Sequence, residues 1–167
     1  MARSPLPSAN WHYPTQVRFG IGRIAELADC CTELGIQRPL VVTDSGLARL
    51  SMINRIVTSL CDTGMAAALY SGVRGNPIGQ NVFDGVDAFR DGGHDGVIAV
   101  GGGSAMDAGK VIAMYQGQSK PLFDLAVHAE GDAGIDASTI VPIIAVPTTA
   151  GTGPGTGRGG CCSTAPL

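Results

Sequence analysis

The sequence predicts an α/β domain built on a doubly wound, Rossmann-like parallel sheet with helices on both faces. Three observations predict it. Short, wholly apolar or nearly apolar runs such as 39–43 (PLVVT) and 97–100 (VIAV) alternate with longer segments of helical periodicity, and strands that are apolar on both sides need cover on both faces. The connections between these runs have the length of a helical crossover, which parallel pairing requires. Two glycine-rich turns, Gly101-Gly102-Gly103-Ser104 and Pro147-Thr148-Thr149-Ala150-Gly151-Thr152-Gly153, directly follow two of the runs. There, bare backbone amides and the positive end of a helix can meet a pyrophosphate.

Residues 1–14 are polar and proline-bearing and are expected to form an extended arm before a first strand at Thr15–Phe19. Between 22 and 35, Ile24, Leu27, Ala28, Cys31 and Leu34 recur at intervals of three and four, the mark of one helical face, and Gly35 is placed to cap it. The run 39–43 is a strand ending at Asp44, and Leu50, Ile53, Val57 and Leu60 then mark a helix that breaks at Asp62-Thr63-Gly64. A short strand is expected at 66–70, followed by a glycine and proline loop at 72–79 around Asn76-Pro77. Val82, Val86 and Phe89 define the next helix, closed by Gly92-Gly93, and 97–100 the next strand. A helix from Ser104 to about Gln116, a polar irregular stretch at 117–138 and a last strand at 140–146 complete the pattern.

At 167 residues the chain holds one ordinary core, so a single domain or a piece of a larger enzyme is expected. A net charge of −3 with no basic stripe argues against a nucleic-acid partner. No apolar stretch approaches the roughly 18 residues of a membrane span, and the first ten residues lack the apolar middle of a signal peptide. A cytoplasmic location is therefore expected. Cys30, Cys31, Cys61, Cys161 and Cys162 show neither a C-x-x-C spacing nor a disulfide framework and read as reduced thiols.

The turn at Gly101 carries the sharpest chemistry. Three successive glycines remove every Cβ from the bend, and Ser104 adds a hydroxyl at the helix start that can bond phosphate. Asp44 closes a strand at the sheet's C-terminal edge, where a carboxylate can accept both ribose hydroxyls of an adenosine and would repel a 2′-phosphate. Equally, Asp44 can simply cap the turn Asp44-Ser45-Gly46. Asp107 and Lys110, three apart on one helical face, allow a surface ion pair. A competing pattern stands earlier: Gly20-Ile21-Gly22-Arg23-Ile24-Ala25 fits G-x-G-x-x-A, and Asp44 follows about twenty residues on. If that were the phosphate turn, the three glycines at 101–103 would have no evident task.

With G-G-G-S-x-x-D-x-x-K at 101–110, P-T-T-A-G-T-G at 147–153, V-T-D at 42–44 and R-F-G-x-G at 18–22 in this order, the chain resembles the iron-containing alcohol dehydrogenase family over about residues 11–153. The resemblance implies a cofactor domain at 15–153 that binds NAD, with NADP less favoured, and a family enzyme converting alcohol to aldehyde or ketone. It also implies that Asp44 contacts the adenosine ribose, that Gly102, Gly103 and Ser104 meet the pyrophosphate, that Thr148, Thr149 and Thr152 face the nicotinamide side, and that Asp107 belongs to the cofactor site. The turn at 20–25 then becomes structural. Glycerol dehydrogenases and dehydroquinate synthases are similar at the glycine turn but differ at the second motif.

The resemblance further implies a helical metal-binding C-terminal domain holding Fe2+ or Zn2+ through one aspartate and three histidines, and none of these ligands is expected in this chain. His12, His94 and His128 lack ligand spacing and read as solvated. Residues 154–167 are expected to be an irregular, non-native tail. Codons that can encode Cys161-Cys162-Ser163-Thr164-Ala165, read in a shifted frame, spell VLLDR, as a frame slip in the gene would produce. On this reading the chain is a cofactor-binding fragment, inactive alone, whose family partners are small alcohols or aldehydes and whose assembly is a homo-oligomer. Two alternatives stay open: a non-enzymatic nucleotide-binding or interaction module, one form of which dimerises with a full-length homologue through its first strand, and a maleylacetate reductase or polyol dehydrogenase of the same superfamily.

Overall fold

The computed structural model describes residues 9–13, 15–125 and 134–151. A two-stranded antiparallel hairpin, β1 (Ala9–Tyr13) and β2 (Thr15–Phe19), precedes a four-stranded parallel sheet of β3 (Pro39–Asp44), β4 (Ala68–Val73), β5 (Gly96–Gly101) and β6 (Ile143–Pro147). The helices are α1 (Leu27–Glu33), α2 (Ser51–Asp62), α3 (Gly79–Asp91) and α4 (Gly103–Tyr115). The parallel sheet runs in the order β4-β3-β5-β6.

The fold class expected from the sequence is the one found, with one correction at the start of the chain. Ala9–Tyr13, expected within an extended arm, is itself a strand, and it pairs with β2 from Ala9↔Phe19 to Tyr13↔Thr15. β2 stands outside the parallel sheet. Its sequence T-Q-V-R-F alternates apolar and polar residues and is half-exposed, whereas β3 and β5 are buried along nearly their whole length. Alternation suits a ribbon with one wet face, and a continuous apolar run suits a central strand.

Successive residues of a strand point to opposite faces, and the two halves of the core follow that rule. Leu40, Val42 and Val97 pack with Val82, Val86 and Phe89 of α3 and Ala108, Val111 and Ile112 of α4. Val41, Ile98 and Val100 pack with Leu27 and Cys31 of α1 and Ile53, Ile56 and Leu60 of α2. Each fully buried aliphatic side chain contributes about 1.5–3 kcal/mol. Burial pushes the Cys31 thiol up to about 11, which makes it an inert part of this core. Cys30 and Cys61 are free as well, while Cys161 and Cys162 lie outside the described residues.

Several boundaries differ from the sequence reading. The helix expected over Leu50 to Leu60 does not include Leu50, whose backbone is extended (φ −82°, ψ 140°); a short 3-10 turn, Leu47–Arg49, precedes it and α2 follows. Leu50 is consequently exposed instead of joining the core, as are Ile24, in the 3-10 turn Arg23–Glu26, and Leu34, just past the end of α1. The strand expected at 66–70 lies at Ala68–Val73, because Gly64 (φ 88°) turns the chain tightly and Met65 still bonds back to Leu60. The last strand begins at Ile143 rather than 140, because a 3-10 turn occupies Ala137–Thr139.

Candidate functional site

The order β4-β3-β5-β6 creates the site. From β3 the chain goes outward to β4, and from β5 it goes outward on the other side to β6. The connections thus diverge between the C-terminal ends of β3 and β5, the switch point where open α/β sheets leave a crevice. Asp44 is the last residue of β3, Gly101 the last of β5, and Pro147 the last of β6.

The glycine turn is built for close approach. Gly101 has φ 149°, and a Cβ there would lie 2.7 Å from the Cβ of Ala105 and 3.2 Å from Leu47 Cδ1, so only glycine fits. Gly102 is the N-cap of α4 and offers no side chain to satisfy the first-turn amides. Those amides and the helix dipole form the positive end of a thirteen-residue helix beside the crevice. Gly103 and Ser104 open that helix.

Asp44 caps its turn and keeps one oxygen toward the glycine turn. Its Oδ1 accepts from the backbone N–H of Gly46 and of Leu47, each at 2.9 Å, so the carboxylate caps the turn. Its Oδ2 faces the glycine turn, 3.7 Å from where a Cβ on Gly101 would stand. The capping bonds therefore fix the carboxylate while leaving its second oxygen toward the crevice.

The second turn joins the first. The Thr148 N–H donates to the Gly101 carbonyl at 2.9 Å, and Thr149 Oγ1 lies 3.3 Å from the Cβ position of Gly102. Thr148 and Thr149 are exposed, and Thr152 lies outside the described residues. Asp107 is one turn further along α4, half-buried beside Lys110; burial lowers the Lys110 pKa and the Asp107 carboxylate opposes that shift. The pair is thus more enclosed than the surface pair the spacing allowed.

The sequence reading missed two participants. The Asn76 N–H donates to Ser104 Oγ at 3.3 Å, so the loop after β4 closes against the helix start. Asn76 has φ 52°, a left-handed conformation that asparagine tolerates; the Asn-Pro pair in that loop was the available signal. Gly109 is the other: a Cβ there would lie 2.6 Å from the Cβ of Ala99, so α4 lies close against β5 only because of it. That is the close helix–strand packing a dinucleotide fold places behind its phosphate turn.

The competing pattern has a different setting. Gly20 (φ 156°) and Gly22 (φ 77°) follow β2, outside the parallel sheet, and lead into a four-residue 3-10 turn, Arg23–Glu26. Arg18 and Arg23 both bond Glu26, and Arg18 also reaches Glu33, tying the hairpin to α1. The hydrogen bond from Arg23 holds the Glu26 carboxyl below its ordinary range.

Among the described residues no three His, Cys, Asp or Glu side chains converge to hold a metal ion. His94 lies in the turn after α3 with its Nδ1 against the Arg38 carbonyl, and His128 is outside the described residues. No helix among the described residues is long and apolar enough to cross a membrane.

Comparison with known proteins places this geometry in a family. The model of the iron-containing alcohol dehydrogenases matches residues 14–161. The chain is similar to a 4-hydroxybutyrate dehydrogenase of Cupriavidus necator, with 34% identity across 89% of this chain and 38% of that protein. It is also similar to the lactaldehyde reductase of Escherichia coli strain K12, with 36% identity across 80% of this chain and 34% of the reductase. Among solved structures, a sulfoacetaldehyde reductase from Bifidobacterium kashiwanohense in complex with NAD+ superposes with a TM-score of 0.73 at 30% identity, covering 86% of this chain and 37% of that one. The chain thus spans between a third and two fifths of the length of these relatives.

Proposed function

The chain belongs to the iron-containing alcohol dehydrogenase family, and we propose that it supplies the NAD-binding half of an alcohol dehydrogenase acting on a small alcohol or aldehyde. The observation that carries this reading is the convergence of Asp44, Gly101-Gly102-Gly103, Ser104 and the Thr148-Thr149 turn at the switch point of the sheet.

The cofactor fits the chain's own residues. The glycines at 101–103 keep side chains out of the bend so that its backbone can approach a pyrophosphate, and the first-turn amides of α4 point positive charge at it. Asp44 Oδ2 is placed to accept the ribose hydroxyls and disfavours a 2′-phosphate by charge, hence NAD over NADP. Thr148 and Thr149 border the same crevice and would orient the nicotinamide end, with Thr152 continuing that turn in the sequence. Asp107 would act behind the turn, through α4, rather than at the glycines themselves. When bound, the nicotinamide supplies hydride exchange with a carbon of the substrate.

The family's metal, Fe2+ or Zn2+, finds no set of three suitable ligands among the described residues. The contribution proposed for this chain, cofactor binding and orientation, rests on the crevice residues. The cytoplasm is the proposed location and a homo-oligomer the proposed assembly.

Calorimetric titration of NADH into the 167-residue chain tests the reading, with circular dichroism confirming the fold. Saturable binding that Ser104→Trp abolishes supports it. A folded chain that ignores NADH, or a tryptophan variant that binds as before, contradicts it.

A further inference from the structure

Two polar side chains are buried among the described residues, Thr43 and Asn81. Asn81 has a local task, accepting from the Ile78 N–H and donating to the Gly72 carbonyl at the start of α3. Thr43 stands elsewhere, one residue before Asp44 and at the switch point itself. It is fully buried, in a run whose other members are apolar, so its hydroxyl is costly there unless bonded. It donates to the Val100 carbonyl at 2.8 Å.

The place of that bond gives it meaning. Backbone pairing of β3 with β5 runs from Pro39↔Gly96 to Val42↔Ala99 and ends there, while β5 stays paired with β6 through Gly101↔Pro147. On its other side β3 shifts register against β4 between Val42 and Asp44. The end of β3 has therefore left the ladder with β5, and it meets β4 again only after the shift, through Asp44↔Val73, at the point where the Asp44 carboxylate must be held relative to the Gly101 turn. The Thr43 hydroxyl is the link from β3 to β5 beyond the last backbone pair, and it reaches the residue next to Gly101.

We propose that Thr43 is a positioning residue: its bond to Val100 fixes the separation of the Asp44 carboxylate from the Gly101 turn and thereby sets the preference for a ribose with a free 2′-hydroxyl. This rests on the dinucleotide reading of the same crevice. Valine at 43 would keep the shape and the apolar packing, lose the donor and let the end of β3 drift. Serine would keep the bond.

The test is titration of NADH and of NADPH into the parent 167-residue chain, Thr43→Val and Thr43→Ser, and into each with Asp44→Asn. The ratio of the two affinities is the readout, because a smaller folded fraction weakens both ligands alike and leaves the ratio unchanged. The valine variant is expected to lose about three- to tenfold of the NADH preference, the scale of one net hydrogen bond. Serine is expected to restore the preference, and valine to change nothing further once Asp44 is asparagine. Should Thr43→Val not fold by circular dichroism, Thr43→Cys, similar in size with a weak donor, is read in the same way. An unchanged ratio in a folded variant, or no recovery with serine, overturns the proposal. If the parent binds NADH and NADPH equally, the crevice reading survives and this inference falls; if it binds neither, both fall.

Discussion

Two glycine turns in this chain follow strands, lead into helical backbone and satisfy the sequence pattern of a phosphate loop, yet their surroundings are opposite. The turn at Gly101 ends a fully buried central strand, opens a thirteen-residue helix and lies beside a carboxylate at the sheet's switch point. The turn at Gly20 and Gly22 ends a half-exposed hairpin strand and opens a four-residue 3-10 turn held by arginine–glutamate pairs. Glycine serves both purposes in the first and one in the second. At Gly22 nothing lies within 4 Å of a would-be Cβ, so only its φ of 77° calls for glycine. At Gly101 the φ of 149° and a contact at 2.7 Å both do. What separates the two turns is therefore where the strand sits in the sheet and what crowds the glycine, not the spacing of the glycines.

The largest effect that would separate the two turns is expected from matched alanine substitutions. Gly101→Ala adds backbone strain to a clash with Ala105 and should cost about 3 kcal/mol of stability, with NADH affinity falling about tenfold or more among folded molecules. Gly22→Ala meets open space and should cost about 1 kcal/mol, from the left-handed backbone alone, with NADH affinity unchanged. Urea denaturation and NADH titration of the two proteins read both quantities. Equal effects would erase the distinction.

Gly109→Ala sharpens the comparison from behind the turn. A helix interior ordinarily gains about 1 kcal/mol from this change, but here the new Cβ would lie 2.6 Å from the Cβ of Ala99, and neither atom can rotate away. Overpacking should win, with net destabilisation of about 1–2 kcal/mol and weaker NADH binding as α4 lifts from β5. A rise in stability would show that α4 can shift without cost.

Asp44→Ala removes two bonds to backbone amides and the oxygen facing the glycine turn. Stability should fall by about 1 kcal/mol, and the preference for NADH over NADPH should relax in paired titrations. Loss of stability with discrimination intact would leave Asp44 as a turn cap only.

The smallest effect is expected at the other turn. Because Arg23 and Arg18 hold the Glu26 carboxyl below its ordinary range, its contribution is present above that range and lost as pH falls through the lowered value. Glu26→Gln should flatten the acid limb of the melting temperature against pH and leave NADH affinity as it was. A change in NADH affinity would connect the hairpin turn to the cofactor after all.

Much of this arrangement was legible in the sequence because the strongest signals were local and redundant. The apolar runs at 39–43 and 97–100 could only be central strands, and three adjacent glycines after one of them marked a turn that bulky residues cannot make. What stayed hidden depended on partners distant in sequence. The strand Ala9–Tyr13 exists by pairing with β2, Gly109 matters because Ala99 faces it, and Thr43 stood only as a member of the run 39–43 and of V-T-D, with nothing in the sequence pointing to its bond to Val100. Leu50 erred the other way: it fits the helical period, but its extended backbone ends a 3-10 turn and exposes the side chain. For Asp44 the sequence left capping and ligand contact as rivals; the capping bonds use Oδ1, and Oδ2 faces the glycine turn, so the two are not exclusive.

The most direct measurement is amide NMR of the uniformly 15N-labelled chain during titration with NADH. The account predicts progressive shifts at Gly101, Gly102, Gly103, Ser104 and Asp44, with Thr148 and Thr149 following and Gly20, Ile21 and Gly22 unmoved. Shifts concentrated at Gly20, Ile21 and Gly22, with the Gly101 turn silent, would contradict it.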